Sequence, residues 1–251
     1  MNKIINYHNL MNMDTINYPN LMNNLDKSVL IIISRYNENL EWLKQNSFNK
    51  YNAIIYNKGI NDNYYNSPKI INKIKLKNVG RCDHTYLFHI INNYDNLADI
   101  NIFFPGSVNL ENKINRAKKL IYEIEKNNSS VFLYNEKRIN VKSELYNFTI
   151  EKHIMADDTN KKINSESKTQ LSDIRPFGKW YENKFNNILI NHISYGGLFS
   201  VSKEDILKHP KTYYENLIEK LSISSNPEVG HYFERSWEAV FYPMDTKFIK
   251  G

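Results

Sequence analysis

The stretch Val29-Leu30-Ile31-Ile32-Ile33-Ser34-Arg35-Tyr36-Asn37-Glu38 decides the fold class. Its first half is an unbroken run of aliphatic, mostly β-branched residues, which is typical of a strand that is buried on both faces. Its second half is polar, and Asn37 is a candidate cap for a helix that carries Leu40 and Leu43. The stretch therefore predicts an α/β fold with a polar site just beyond its first strand.

Strand-like and helix-like segments alternate after this stretch. Apolar runs predict strands at 51–56, 70–76, 100–104 and 131–134, and apolar residues at helical spacing predict helices over 83–94 and around 114–124. Strands that alternate with helices favour a parallel sheet. We therefore expect one α/β domain over 29–251, with a central, mainly parallel sheet, helices on both faces and an N-terminal extension over 1–28.

The second half of the chain is less regular. Residues from about 138 to 168 are mostly polar and predict an inserted loop, which is either a surface excursion or a lid over a site. A strand-like run over 192–201 is interrupted by Gly196-Gly197. Ser202 and Asp205 form a capping box for a helix that Pro210 restarts, and a last helix is expected over 231–241.

Composition excludes several classes of protein. The single cysteine, Cys82, allows no intrachain disulfide, and the chain lacks the run of about 18 apolar residues that a membrane span requires. The net charge of +6 is scattered and no nucleic-acid reader motif accompanies it, so we expect a cytoplasmic protein without a nucleic-acid partner. No P-loop, H-E-x-x-H or G-x-S-x-G motif occurs.

Two groups of polar residues lie where the first two strands are expected to end. The first group is Arg35, Asn37 and Glu38, and the second contains Lys58 in Asn57-Lys58-Gly59. Ligands of open α/β sheets bind beyond the carboxyl ends of the strands, so these residues are candidate substrate-binding residues. The alternative is a helix cap with a surface ion pair.

The segment Gly80-Arg81-Cys82-Asp83-His84 begins an amphipathic helix, with Asp83 or the residue before it as the expected cap. Arg81 can bind phosphate with two parallel hydrogen bonds, and the helix amino end adds unpaired N–H groups, so the segment is a candidate diphosphate cradle. His84 is a candidate catalytic residue or a structural histidine. Cys82 is a possible nucleophile, because a helix amino end lowers the pKa of a thiol.

The third candidate group lies near the end of the chain. Glu234 is the best general-base candidate, with Glu238 on the same face of the expected helix. Candidate substrate-binding residues beside it are Gly196, Gly197, His231 and Arg235. The alternatives are a structural pair between Glu234 and an arginine, and a bulge at the glycines.

Four segments of the chain resemble a widespread family of uncharacterised proteins from fungi, bacteria and large DNA viruses. They are Ser34-Arg35-Tyr36-Asn37-Glu38 with Trp42, Tyr56-Asn57-Lys58-Gly59, Gly80-Arg81 with His84-Thr85-Tyr86-Leu87, and Glu234-Arg235 with Trp237. The resemblance covers about residues 29–242. It implies no activity.

A looser resemblance, to glycosyltransferases of the GT-A type, rests on the Asn-Glu pair after the first strand and on a late Gly-rich strand followed by an acidic helix. It implies a GT-A-like fold and transfer of a sugar from a nucleotide sugar to an acceptor hydroxyl. Arg35, Asn37 and Glu38 would then meet the donor, and Glu234 the acceptor. The alternative is a non-catalytic module that binds a nucleotide or a glycan.

This chain departs from that resemblance in one respect. Pro105-Gly106-Ser107 follows the strand at which the family's metal-binding D-x-D motif usually stands. We therefore expect no metal and no cofactor besides the nucleotide-sugar co-substrate, with Arg81, then Lys58 and Arg235, offsetting the diphosphate charge. Asp157-Asp158 is the first place to look if a metal binds after all.

Overall fold

The computed structural model describes residues 27–134, 145–152, 169–186, 188–245 and 247–251. Nearly all of the expected N-terminal extension and most of the polar insertion, including Asp157-Asp158, lie outside the described residues. Among the described residues, no helix combines the length and the apolar character that crossing a membrane requires.

A five-stranded sheet forms the centre of the domain, in the order β3-β2-β1-β4-β6. The first four strands in this order are mutually parallel, and β6 pairs antiparallel with β4. The strands are β1 (Val29–Arg35), β2 (Asn52–Asn57), β3 (Ile70–Lys75), β4 (Ile100–Pro105) and β6 (Phe199–Ser202). The prediction of a mainly parallel sheet is confirmed.

Seven α-helices with defined bounds surround the strands in the described part of the chain. They are α1 (Arg81–Asn92), α2 (Glu111–Asn127), α3 (Phe177–Phe185), α4 (Lys203–Leu207), α5 (Lys211–Ile218), α6 (Glu228–Phe233) and α7 (Trp237–Val240). Short 3-10 helices add single turns, of which Glu41–Lys44 and Gly106–Asn109 follow β1 and β4. Ser202 caps α4 as expected, because its Oγ accepts the backbone N–H of Asp205 at 3.0 Å.

The central strand β1 explains why the sequence run is wholly apolar. Leu30 and Ile32 belong to a core that includes side chains of α1, α3, α5 and α6, whereas Ile31 and Ile33 belong to a second core that includes side chains of α2. Every residue of β1 is buried. Both faces of the sheet are therefore covered, as predicted.

The direction of the chain path reverses between β1 and β4. The chain first adds β2 and β3 on one side of β1 and then returns to place β4 on the other side. In open α/β sheets a crevice opens at such a switch point, beyond the carboxyl ends of the strands. The loop that contains Glu38 and the turn at Gly106 both lie at this edge, since they follow β1 and β4.

A small second sheet pairs β5 (Val131–Tyr134) in parallel with β7 (Lys247–Lys250). The predicted strand at 131–134 has the right bounds, but its ladder partner is β7 and not a strand of the central sheet. It is tied to the central sheet by a side chain, because Ser200 Oγ accepts the backbone N–H of Val131 at 2.7 Å.

Three local expectations are wrong. Asn37 caps no helix: the 3-10 helix Glu41–Lys44 follows Leu40, whose φ is 58°. The cap of α1 is Gly80, not Asp83 or the residue before it. The helix expected over 231–241 is broken into α6 and α7 by a turn at 234–236, so Glu234 and Glu238 do not share one helical face.

Candidate functional site

The candidate site lies at the carboxyl edge of the parallel strands, where several loops and helix starts meet. Charged residues come from the loops after β1 and β2, the first turns of α1 and α2, and the turn between α6 and α7. Lys113, on α2, lies close enough to Glu38, Arg81 and Glu234 for their charges to influence its pKa. The structure therefore brings together Glu38, Arg81 and Glu234, which are far apart in sequence.

The start of α1 is joined to the end of the chain by two hydrogen bonds between side chains. Arg81 Nη1 donates to His231 Nε2 at 3.2 Å, and Trp237 Nε1 donates to Asp83 Oδ1 at 3.0 Å. A guanidinium can only donate, so Nε2 of His231 accepts. His231 thus holds Arg81, a role that differs from the substrate contact expected for it.

Arg81 has the geometry of a residue held in place for a ligand. Its φ is 53°, which is a left-handed conformation that costs a non-glycine residue about 1–2 kcal/mol. Nη1 also donates to Asn226 Oδ1 at 3.2 Å, whereas Nε and Nη2 donate no hydrogen bond to any described residue. Strained residues of this kind cluster at functional sites.

Glu234 lies in the turn that separates α6 from α7. Its Oε1 accepts the backbone N–H of Gly196 at 2.8 Å, and its side chain is 23% exposed. Gly196 and Gly197 have φ values of 88° and 67°, in the region that favours glycine. The two glycines therefore form a tight turn that presents an N–H group to the carboxylate, and the interrupted strand-like run expected over 192–201 is a strand only from Phe199, in β6.

Asp83 is a buried carboxyl group that sequence reasoning considered only as a helix cap. Burial, together with the negative charge of Glu234, raises its pKa to about 7. The positive charge of Arg81 and the hydrogen bond from Trp237 lower the pKa of Asp83, but by less than burial and Glu234 raise it. Two carboxyl groups with different environments, Asp83 and Glu234, thus lie near each other.

Cys82 is not a nucleophile in this environment. Burial raises the pKa of its thiol to about 12, and the charge of Asp83 adds to the effect. Burial therefore outweighs any lowering by the helix amino end, and the thiol stays protonated. Sγ lies 3.8 Å from Asp83 Oδ2, as a weak donor.

Lys113 is a site residue that the sequence analysis missed. Its Nζ donates to Ser107 Oγ at 2.9 Å, just beyond the end of β4. Burial lowers its pKa, while the nearby Cys82 and Glu234 raise it. Its position in the first turn of the helix that follows β4 is the sequence signal that could have identified it, since that turn faces the carboxyl edge of the sheet.

Arg35 was expected to bind substrate, but the structure gives it a structural role. It is fully buried, and its guanidinium donates to Glu38 O, Asn57 Oδ1, Asn61 O and Asn61 Oδ1 at 2.6–2.8 Å. Tyr64 covers its face at 4.2 Å. Arg35 thus fastens the loop after β2 to the end of β1 and uses four of its five N–H groups for these bonds.

The other two residues of that first group lie on the surface of the site. Asn37 is exposed, and its Oδ1 accepts from Asn61 Nδ2 at 3.0 Å. The Glu38 carboxylate accepts the backbone N–H groups of Tyr36 and Asn37 at 2.7 and 3.1 Å. It lies against Gly106 at the end of β4, so it borders the crevice.

Lys58 is also engaged within the protein. Its Nζ donates to the carbonyl oxygen of Val79 at 2.6 Å and to that of Arg81. The side chain is buried, and burial lowers its pKa to about 7. Two of the three N–H groups of its ammonium form are thus used within the protein, and the direct contact with a diphosphate expected from the sequence stays a prediction.

His84 is not suited to proton transfer near neutral pH. Burial and the charge of Lys58 lower its pKa to about 3, so the ring is neutral. Its Nδ1 is buried without a hydrogen-bond partner among the described residues, and the ring stacks on Phe88 with centroids 6.0 Å apart. These features favour the structural alternative for His84, and its catalytic role stays a prediction.

Arg235 packs inside the protein. Its guanidinium lies 3.6 Å from the centroid of the Phe148 ring, and Nη1 donates to the carbonyl oxygen of His231 at 2.7 Å. The nearest oxygen of Glu234 is 3.9 Å from Nη1, which is too far for a hydrogen bond. Arg235 stabilises the turn between α6 and α7 and does not reach toward a substrate.

Comparisons with known proteins identify the family of this chain but no relative of known activity. Within the described part of the chain, no group of three or more histidine, cysteine or acidic residues is arranged to hold a metal ion. Neither the curated proteins nor the solved structures include a match to this chain. A family model described as a protein of unknown function, DUF3431, matches residues 30–248, so the chain belongs to that family.

Proposed function

We propose that this protein transfers a sugar from a nucleotide-sugar donor to an acceptor hydroxyl, as a glycosyltransferase of the GT-A type does. The observation that carries the proposal is the grouping of two cations, Arg81 and Lys113, with the carboxylate of Glu234 at the carboxyl edge of the sheet. Nucleotide-sugar chemistry needs these elements: cations for the diphosphate, and a carboxylate for the acceptor proton.

The strand order supports a nucleotide-binding site. The order β3-β2-β1-β4 is that of the first four strands of the dinucleotide-binding fold, in which the nucleotide lies outside the carboxyl ends of the strands at the switch point. Glu38 and Gly106 border that position in this protein. The donor would therefore lie between the loop after β1 and the turn after β4.

Arg81 and Lys113 would offset the charge of the diphosphate. Nε and Nη2 of Arg81 donate no hydrogen bond to a described residue, and a planar guanidinium binds phosphate through two parallel bonds. Lys113 adds a second, partly buried charge, whose Nζ donates to a neutral hydroxyl, that of Ser107. Lys113 thus takes the place that the sequence analysis gave to Lys58 and Arg235.

Glu234 would act as the general base. The N–H group of Gly196 fixes the orientation of its carboxylate, and partial exposure leaves it accessible to an acceptor. As the acceptor oxygen forms a bond to the sugar, its proton passes to Glu234. The bond between the sugar and the diphosphate breaks, and the nucleoside diphosphate leaves with the electron pair.

The test is the substitution Glu234→Gln, which retains shape and an oxygen for the Gly196 N–H group. We expect loss of turnover by about 10²–10⁴-fold with unchanged donor affinity, because general-base help contributes about that factor. Glu215→Gln on the exposed face of α5 is the matched control and should retain full turnover. Donor affinity is measured by calorimetry, and turnover by release of nucleoside diphosphate.

Two outcomes would contradict the proposal. Turnover by the Glu234→Gln variant at the rate of the unmodified protein would remove Glu234 from the chemistry. Binding of nucleotide sugars without turnover by the unmodified protein, over a panel of acceptors, would point to the non-catalytic binding module instead.

A further inference from the structure

Lys58 is the most deeply buried amine near the candidate site, and the proposed reaction does not use it. It lies directly after β2, and its side chain runs under the loop that leads into α1. Its Nζ donates to two backbone carbonyl groups of that loop, Val79 at 2.6 Å and Arg81. These carbonyl groups stand on either side of Gly80.

The loop that Lys58 holds has an uncommon backbone. Gly80 and Arg81 follow one another with φ values of 59° and 53°, so two consecutive residues are left-handed. Such a conformation persists only where surrounding contacts impose it, because an arginine loses about 1–2 kcal/mol in it. Further contacts at this turn are the hydrogen bonds from Gly80 N to Ser224 O at 2.7 Å and from His84 N to Gly80 O at 2.9 Å.

The direction of the Arg81 side chain depends on this turn. The Cα–Cβ bond of a left-handed residue points differently from that of a helical one, so relaxation of Arg81 to a helical φ would redirect its guanidinium. In the present conformation Nη1 reaches His231 and Asn226, and the remaining N–H groups stay available for an anion. The backbone of Arg81 is therefore part of the anion site.

We propose that Lys58 is a positioning residue whose ammonium group fixes the left-handed Gly80-Arg81 turn and thereby aims the Arg81 guanidinium at a phosphate-bearing ligand. The proposal rests on the proposed function only for the identity of that ligand. It replaces direct contact between Lys58 and the diphosphate with an action through the backbone.

The charges around Lys58 make this action dependent on pH. The groups that face it are the Cys82 thiol, the Asp83 carboxyl group and the neutral His84 ring, all on α1. Burial lowers the pKa of Lys58 to about 7, so the ammonium form is present below that pH and is lost above it. A neutral amine donates weaker hydrogen bonds to the carbonyl groups.

The experiment compares Lys58→Met with Lys75→Met. Both lysines donate to backbone carbonyl groups, but Lys75 Nζ bonds Gly59 O in the loop after β2 and does not touch the Arg81 turn. Amide hydrogen exchange at Gly80 and His84 follows the turn directly, and calorimetry with inorganic pyrophosphate follows the anion site. We expect at least tenfold faster exchange and at least tenfold weaker pyrophosphate binding in Lys58→Met, with neither change in Lys75→Met.

The unmodified protein supplies a second test, which does not depend on how Lys58→Met folds. Exchange at Gly80 and His84 should accelerate between pH 6 and pH 9 beyond the known chemical effect of pH, around the pKa of Lys58. Because Asp83 titrates in the same range, the measurement is repeated in Asp83→Asn. If the titration of Lys58 causes the acceleration, it persists in Asp83→Asn. If the titration of Asp83 causes it, the acceleration disappears in that variant, and this result would overturn the pH dependence proposed for Lys58.

Unchanged exchange or unchanged pyrophosphate affinity in Lys58→Met overturns the proposal, as does absence of pyrophosphate binding by the unmodified protein. These measurements need no donor and no acceptor. If they succeed while no nucleotide sugar is turned over, the proposed function fails and the role of Lys58 stands. If turnover occurs but Lys58→Met behaves like the unmodified protein, the proposed role of Lys58 fails and the proposed function stands.

Discussion

Replacement of Asp83 by asparagine should change the free energy of unfolding increasingly in favour of the variant as the pH rises. Burial raises the pKa of this carboxyl group from its ordinary value of 3.8 to about 7. The folded chain therefore holds the proton more tightly than the unfolded chain does. From about pH 4 upward, ionisation favours the unfolded state by about 1.4 kcal/mol per pH unit, until the folded group also ionises near pH 7.

The full effect is about 4 kcal/mol above pH 7, because the two pKa values differ by about 3 units. Asparagine has no such ionisation and keeps an oxygen for Trp237 Nε1. Its added N–H₂ group lacks a strong acceptor beside Cys82, which costs about 1–3 kcal/mol independently of pH. The way in which the stability difference between the two proteins changes with pH is thus more informative than its value at any one pH.

The assay is urea unfolding of both proteins from pH 5 to pH 8. The difference in the free energy of unfolding should shift by about 2 kcal/mol in favour of Asp83→Asn between pH 5 and pH 7, and then level off. Asp95→Asn is the control, since Asp95 is exposed, and should give a difference within about 0.5 kcal/mol at every pH. A difference that stays constant from pH 5 to pH 8 for Asp83→Asn would refute the reasoning.

Three further predictions concern the site and its frame. Arg81→Lys should weaken donor binding by roughly tenfold to a hundredfold in calorimetry, because an ammonium loses a charged hydrogen bond worth about 1.5–3 kcal/mol; equal affinity would contradict the cradle. Turnover should continue in the presence of EDTA. Loss of turnover in EDTA, followed by its recovery on addition of manganese, would show a metal site, with Asp157-Asp158 the first candidate. Gly59→Ala should lower the melting temperature, because its Cβ would lie 1.3 Å from Tyr36 O; an unchanged value would contradict that close approach.

Much of the fold could be predicted from the sequence because its strongest signals are local. Apolar, β-branched runs placed β1, β4 and β5 within a residue of their bounds, and helical spacing identified α1 and α2. The strand β7 has only four residues, two of them lysines, and lacks such a signal. The break between α6 and α7 was also missed, because Phe233, Trp237 and Val240 on either side of it keep helical spacing.

The candidate site was less predictable, because the same side chain serves a ligand or the protein equally well. Arg35 is the last residue of β1 and Arg81 is the first residue of α1. Arg35 is surrounded by carbonyl groups, whereas Arg81 keeps N–H groups without a described partner. That difference depends on loops distant in sequence. The place of Asp83 and Lys113 in the site was missed because a charged residue within a helix usually lies on a solvated face.

The hydrogen bond between Trp237 and Asp83 gives the site an optical signal. The indole N–H group points at a carboxyl group whose charge changes near pH 7, and indole emission responds to a charge so close to the ring. The other two tryptophans, Trp42 and Trp180, are buried elsewhere, with the Trp42 N–H group bonded to a neutral carbonyl oxygen. Intrinsic fluorescence can therefore follow the protonation of this site, and the arrival of an anion beside it, without any label.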